Sequence, residues 1–160
     1  MENTAQEIAP TASQGSEPKS AGVFRRLGAM FYDALLIIAL WMVATALLLP
    51  FTGGEAITSD RVGALEYAYR AVLIAIFVIF FGVFWTRRGQ TLGMAAWKLR
   101  VQRADGAQMK WSDVLKRLAA ACVSLALLGL GYFWIWIDRD RLAWHDRWTG
   151  TRVVVLPKKK

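Results

Sequence analysis

The chain has 160 residues, 56% of them hydrophobic, eight of them tryptophan, and carries twenty Lys plus Arg against twelve acids. That length suits one domain, and the apolar share exceeds the roughly 45–50% of a soluble globular domain. A net charge of +8 would suit a nucleic-acid binder, but apolar runs long enough to cross a bilayer point to a membrane protein with no nucleic-acid partner. One cysteine (Cys122) and one histidine (His145) exclude a disulfide framework within one chain and a metal centre built from several histidines. No cofactor is implied.

Residues 1–22 are polar, rich in Ala, Ser, Thr and Pro, and lack periodicity. They cannot bury enough apolar surface to offset ordering, and are expected to form a disordered tail. From Leu27 to Leu49 only one charge, Asp33, interrupts the apolar run. At about 1.5 Å per residue this stretch crosses a hydrocarbon core of about 30 Å. It exceeds the roughly 7–15 apolar residues of a signal peptide, so an uncleaved span is expected. Arg25 and Arg26 mark its start and Pro50 its end.

Residues 51–66 read as a short polar loop turning at Gly53 and Gly54. A second span follows, about 67–86, with Tyr67, Tyr69 and Trp85 placed as interfacial anchors and Arg87–Arg88 closing it. The 51–66 loop holds one cation, Arg61, whereas the 86–117 loop holds eight. By the positive-inside rule the second loop and the N-terminus face the cytoplasm. The expected location is a cytoplasmic-type membrane, crossed several times.

The third apolar run, Leu118 to Ile137, is long enough for a simple span. Such a span would place Arg139, Arg141, Arg147, Arg152 and Lys158–Lys160 outside, against the positive-inside rule. A re-entrant element, or two short helices bent at Gly129-Leu130-Gly131, is the favoured reading. Strand signals support a return. Lys98–Gln102 alternates before a turn at Asp105-Gly106, and Thr151–Leu156 is rich in β-branched residues. Pairing these strands needs both flanks on one side. The expected fold is therefore an all-α membrane protein with two transmembrane helices, a bent third apolar segment and a small cytoplasmic β pairing. Residues 23–156 form its membrane domain and 157–160 a basic end.

Asp33 is the residue that demands a reason, because an acid within a span costs a few kcal/mol and marks a functional site by default. It lies seven positions after Arg26 on the same helical face, about 10.5 Å along the axis. Helical side chains lean toward the N-terminus, so Arg26 leans away from Asp33 and each should find its partner on another element. Two readings stand. Asp33 is a packing post, paired with Arg70 or an arginine of the returning segment, or it is a cation or proton site.

In Leu142–Gly150 the string brings Trp144, His145, Asp146, Arg147 and Trp148 together. His145 and Asp146 read as interfacial hydrogen-bonding groups, and Trp144 with Trp148, four apart, as one apolar side at headgroup depth. The Gly89–Gly93 turn lacks the spacing of a phosphate-binding loop. The basic surface suits anionic lipid headgroups.

Taken together, Phe24–Ala29 with Asp33, Gly89-Gln90-Thr91-Leu92-Gly93, the basic strand Lys98–Val101, His145-Asp146-Arg147 and Gly150–Val154 resemble the RDD family over about residues 22–156. The resemblance implies a small bacterial membrane protein with an arginine and two aspartates as hallmarks. These map onto Arg26, with Arg25 as the alternative, and onto Asp33 and Asp146. Gly93, His145, Arg147, Gly150 and Thr151 support them. It also implies transport, including cation/proton exchange, which a chain this thin would perform as a homo-oligomer. A non-transporting scaffold is the rival. The lysine expected after the Thr-Leu-Gly turn is Met94 here.

Overall fold

The computed structural model describes residues 19–52 and 63–157. The expected tail up to residue 18, the Gly53-Gly54 turn and the terminal lysines lie outside the described residues.

Helix α1 runs Val23–Leu48 and α2 runs Ala64–Arg87. Both are long and apolar enough to cross a membrane, as the two charge-poor runs require. Each begins earlier than the apolar run suggests, because the charged residues at these ends, Arg26 and Glu66 among them, find partners within the protein. Glu66 and Arg70 pair at 2.5 Å one turn apart, so Arg70 is not the partner of Asp33. The two helices pack on each other, with Trp41 Nε1 donating to the Leu73 carbonyl at 3.0 Å and Thr45 hydrogen-bonded to Tyr69 at 2.8 Å.

After α2 the chain turns through Gly89 into a short helix, α3 (Leu92–Ala96), then strand β1 (Leu99–Arg103). Helix α4 spans Trp111–Ala126, and its start is fixed by Asp113, whose carboxylate accepts the Lys110 amide at 3.0 Å. A straight third span does not form. At Leu127–Gly129 the chain bends by 103° into α5 (Leu130–Phe133) and a 3₁₀ turn through Trp136. Gly129 has φ 74°, a left-handed conformation that glycine adopts without steric cost. The bend thus includes Gly129, the first residue of the expected Gly129–Gly131 pivot.

The chain returns through α6 (Trp144–Thr149) to strand β2 (Thr151–Val155). β1 and β2 pair antiparallel, Leu99 opposite Val155 and Arg103 opposite Thr151, in the register the alternating residues call for. A further strand-like segment comes from the N-terminal flank. Ala21 donates to Val153 at 2.9 Å, Val155 donates to Lys19 at 2.9 Å, and Ser20 bridges Val154. Residues 19–22, which composition assigns to the tail, are therefore ordered against β2, because its free edge offers them hydrogen-bond partners. The flanks of α1, α2 and the bent pair all meet in this sheet, so they lie at one end of the molecule. Its core includes Leu99, Val101, Val114, Met94 and Val153.

Candidate functional site

Arg26 is buried at the sheet end of α1. Its Nη1 donates to Asp146 Oδ2 at 2.5 Å, Nε to the Ala21 carbonyl at 3.0 Å and Nη2 to the Arg141 carbonyl at 3.2 Å. Asp146 stands in the first turn of α6, where Oδ2 also accepts the Ala143 amide at 3.1 Å and helps close the helix start. Its other oxygen lies 2.6 Å from Arg117 Nη1, a close ion pair rather than an aligned hydrogen bond. Arg117 also donates to Thr151 and sits 5.5 Å over the Trp85 ring. A carboxylate is thus clamped between two guanidinium groups from two other helices.

Burial alone would push the Asp146 carboxyl up, but Arg117 and Arg26 outweigh it and hold the group well below the usual carboxylate range. His145, beside it, places Nε2 3.6 Å from Asp146 Oδ1 and its ring against Tyr132 at 4.6 Å. Burial and the nearby Arg117 charge push His145 down to about 3, so it is neutral at ordinary pH. Both His145 and Asp146 are buried. They are enclosed by protein because α6 packs against α4. Trp144 and Trp148 do share one side, their rings stacked 6.1 Å apart, with Trp148 exposed.

Asp33 does not join this cluster. Its carboxylate accepts the Thr91 hydroxyl at 2.5 Å and the Gly93 amide at 2.9 Å, while Thr91 Oγ1 accepts the Met94 amide at 3.1 Å. The acid in the span therefore anchors the start of α3 against α1. Gly93 is required by that approach, since a Cβ there would meet the Ala29 carbonyl and the Asp33 carboxylate. Among the described residues no cation lies within ion-pairing distance of Asp33, and buried Met94 fills the place of the expected lysine.

Asp33, Arg26, Arg117 and His145 all border one cavity of about 440 Å³ between α1, α2 and α4. So the tertiary fold joins Arg26 to Asp146 directly, and relates Asp33 to them only through this cavity. Arg25 is exposed and outside the cluster. Arg147 is also outside, paired with Asp138 and, at 3.6 Å, with Asp140. Gly150 ends α6 at φ 60°, and buried Thr151 receives Arg117. In the sequence Arg117 is one of the eight cations of the 86–117 loop. Its position at the edge of the third apolar run, beside Leu118, was the available sign that it points inward. Among the described residues no group of three His, Cys, Asp or Glu side chains is gathered for a metal.

These features define a multi-pass inner-membrane protein whose charged centre lies where its first helix, bent pair and sheet converge. The family model described as the RDD family matches residues 20–150, most of the chain, and the protein belongs to that family. No curated protein and no solved structure matches it.

Proposed function

We propose that the protein exchanges a monovalent cation for protons across the membrane, with Asp33 as the exchanging carboxylate. One observation carries this reading. Asp33 is buried in a span, borders a cavity, and has no cationic partner among the described residues, whereas Asp146 has two. A carboxylate without a fixed counter-ion leaves its charge to be balanced by a proton or a passing cation. Asp146 is locked as an anion and serves to hold Arg26 and Arg117. Arg26, two turns from Asp33 on the same helix, tunes the field at the exchanging group. His145, Thr151, Gly150 and Gly93 support the arrangement.

In this reading both termini face the cytoplasm, where the basic loops lie, and the basic surface holds anionic headgroups. So few membrane elements make a thin wall for a pathway, so the working unit is a homo-oligomer.

The test is sodium- or lithium-driven proton movement in proteoliposomes. Asp33→Asn is expected to abolish it while leaving the folded protein in the vesicles. If Asp33→Asn moves as many ions as the parent, the carboxylate is not the coupling site.

A second reading has its own observation: both Asp33 oxygens already accept hydrogen bonds, from Thr91 and Gly93. On this reading Asp33 is a latch in a non-transporting scaffold or assembly factor. Asp33→Asn would then lower abundance and thermal midpoint, and the parent protein would move no ions.

A further inference from the structure

The cavity beside the charged centre is built for something larger than an ion. Helices α1 and α4 both pack on α2, and the space between them is walled by Ile37, Trp41, Phe77, Phe81, Leu118 and Ala121. Its volume, about 440 Å³, falls within the roughly 300–1,000 Å³ of small-molecule sites, which pair a largely apolar lining with a few polar groups. Ile38 and Leu125 border the cavity and are also exposed on the outer surface, at 48% and 65%. The cavity therefore opens sideways, toward the surface that faces lipid.

Its sheet-side end is polar and positive. Two guanidinium groups, Arg26 and Arg117, face one locked carboxylate, Asp146, which leaves one positive charge over. Arg117 is 4% exposed, and its Nη1 is engaged by Asp146 and Thr151. Trp85 Nε1 and His145 Nδ1 are buried without a hydrogen-bond partner, and both residues line the cavity. A buried polar atom left unpaired is costly, and the Trp85 N–H beside the Arg117 guanidinium at one end of an apolar chamber points to an acceptor that belongs there. Asp33 borders the same cavity, but its oxygens are turned to Thr91 and Gly93.

We infer that this cavity binds an anionic amphiphile, its acidic head against Arg117 and Trp85 and its apolar tail between α1 and α4, entered from the bilayer. The head is a carboxylate or phosphate, and the source is either a free long-chain acid or an anionic phospholipid. This goes beyond cation exchange and does not depend on it.

Binding is measured on the purified full chain in mild detergent, with no ion gradient, by native mass spectrometry and equilibrium dialysis. Palmitate and phosphatidylglycerol are the two anionic probes, and hexadecanol is the neutral one. Saturable binding is expected for at least one anionic probe, and which of them binds identifies the source. Hexadecanol should bind at least about tenfold more weakly, since a charge-assisted hydrogen bond is lost. Arg117→Gln should weaken the anionic probe by about tenfold or more on the same ground. Because Arg117 also holds Asp146, Ala121→Trp provides the second arm, filling the apolar wall without touching a charge. It should abolish binding in a protein that still melts cooperatively. Equal binding of hexadecanol, non-saturable uptake of both anionic probes, or unchanged binding in Ala121→Trp overturns the inference.

Discussion

Asp146 illustrates how a buried anion is made tolerable. Two arginines and the α6 backbone supply its counter-charge and hydrogen bonds, and removing one partner leaves a buried charge uncompensated. Arg26→Gln is therefore expected to cost about 3–5 kcal/mol, read as a lower thermal midpoint in detergent. Arg25→Gln, on the exposed neighbour, should change stability by no more than about 0.5 kcal/mol. His145 gives a pH signature. Its folded value, about 3, lies below its ordinary 6.5, so the unfolded chain binds the proton more readily. The stability it confers is fully present above pH ~6.5 and is lost as pH falls toward the folded value. Between pH 7 and pH 5 this should amount to about 2 kcal/mol, and His145→Gln should flatten that part of the profile. Asp146, also depressed in the folded state, acts in a different window. Its contribution persists above the ordinary carboxylate range of about 4 and is lost only in stronger acid.

At the scale of elements, α3 matters out of proportion to its five residues. It seats on α1 because Asp33 caps its first amides through Thr91 and Gly93, and it hands the chain on to β1. Gly93→Ala should destabilise by about 1–3 kcal/mol, since its Cβ meets the Ala29 carbonyl on a packed helix. The measurement is the thermal midpoint together with membrane abundance. The bent pair shows the other element-level device. An amphipathic α4 can bury Arg117 and Leu118 toward the sheet only because the chain then turns through 103° and brings α6 back beneath it. A straight helix would have carried His145 and Asp146 to the far side of the membrane.

For the molecule as a whole, the sheet is the fastening. Segments before α1, after α2 and after α6 hydrogen-bond side by side, so the start of α1, the end of α2 and the return from the bent pair are held at one end. Reporters fused at either terminus should therefore respond alike. A cytoplasm-active fluorescent reporter is expected to work at both ends and a periplasm-active phosphatase at neither. A phosphatase active at the C-terminus alone would separate β2 from β1 and dissolve the Arg26–Asp146 pair.

The two spans and the strand pairing were legible in the sequence because bilayer thickness, charge exclusion and β-branched composition act locally along the chain. Arg26 and Asp146 could be named as hallmarks by resemblance, and their meeting depended on the third apolar run turning back. Composition and spacing could not supply the roles of Arg117 and Thr91. Both are set by contacts across 29 to 58 positions of chain, Arg117 with Asp146 and Thr91 with Asp33. Nor could they separate Asp33 from the arginine cluster. A one-dimensional pattern fixes which face of a helix a residue occupies, but the partner on that face is decided by which other element packs there. Only the tertiary structure placed α3 against Asp33, α4 and α6 around Asp146, and an open chamber between them.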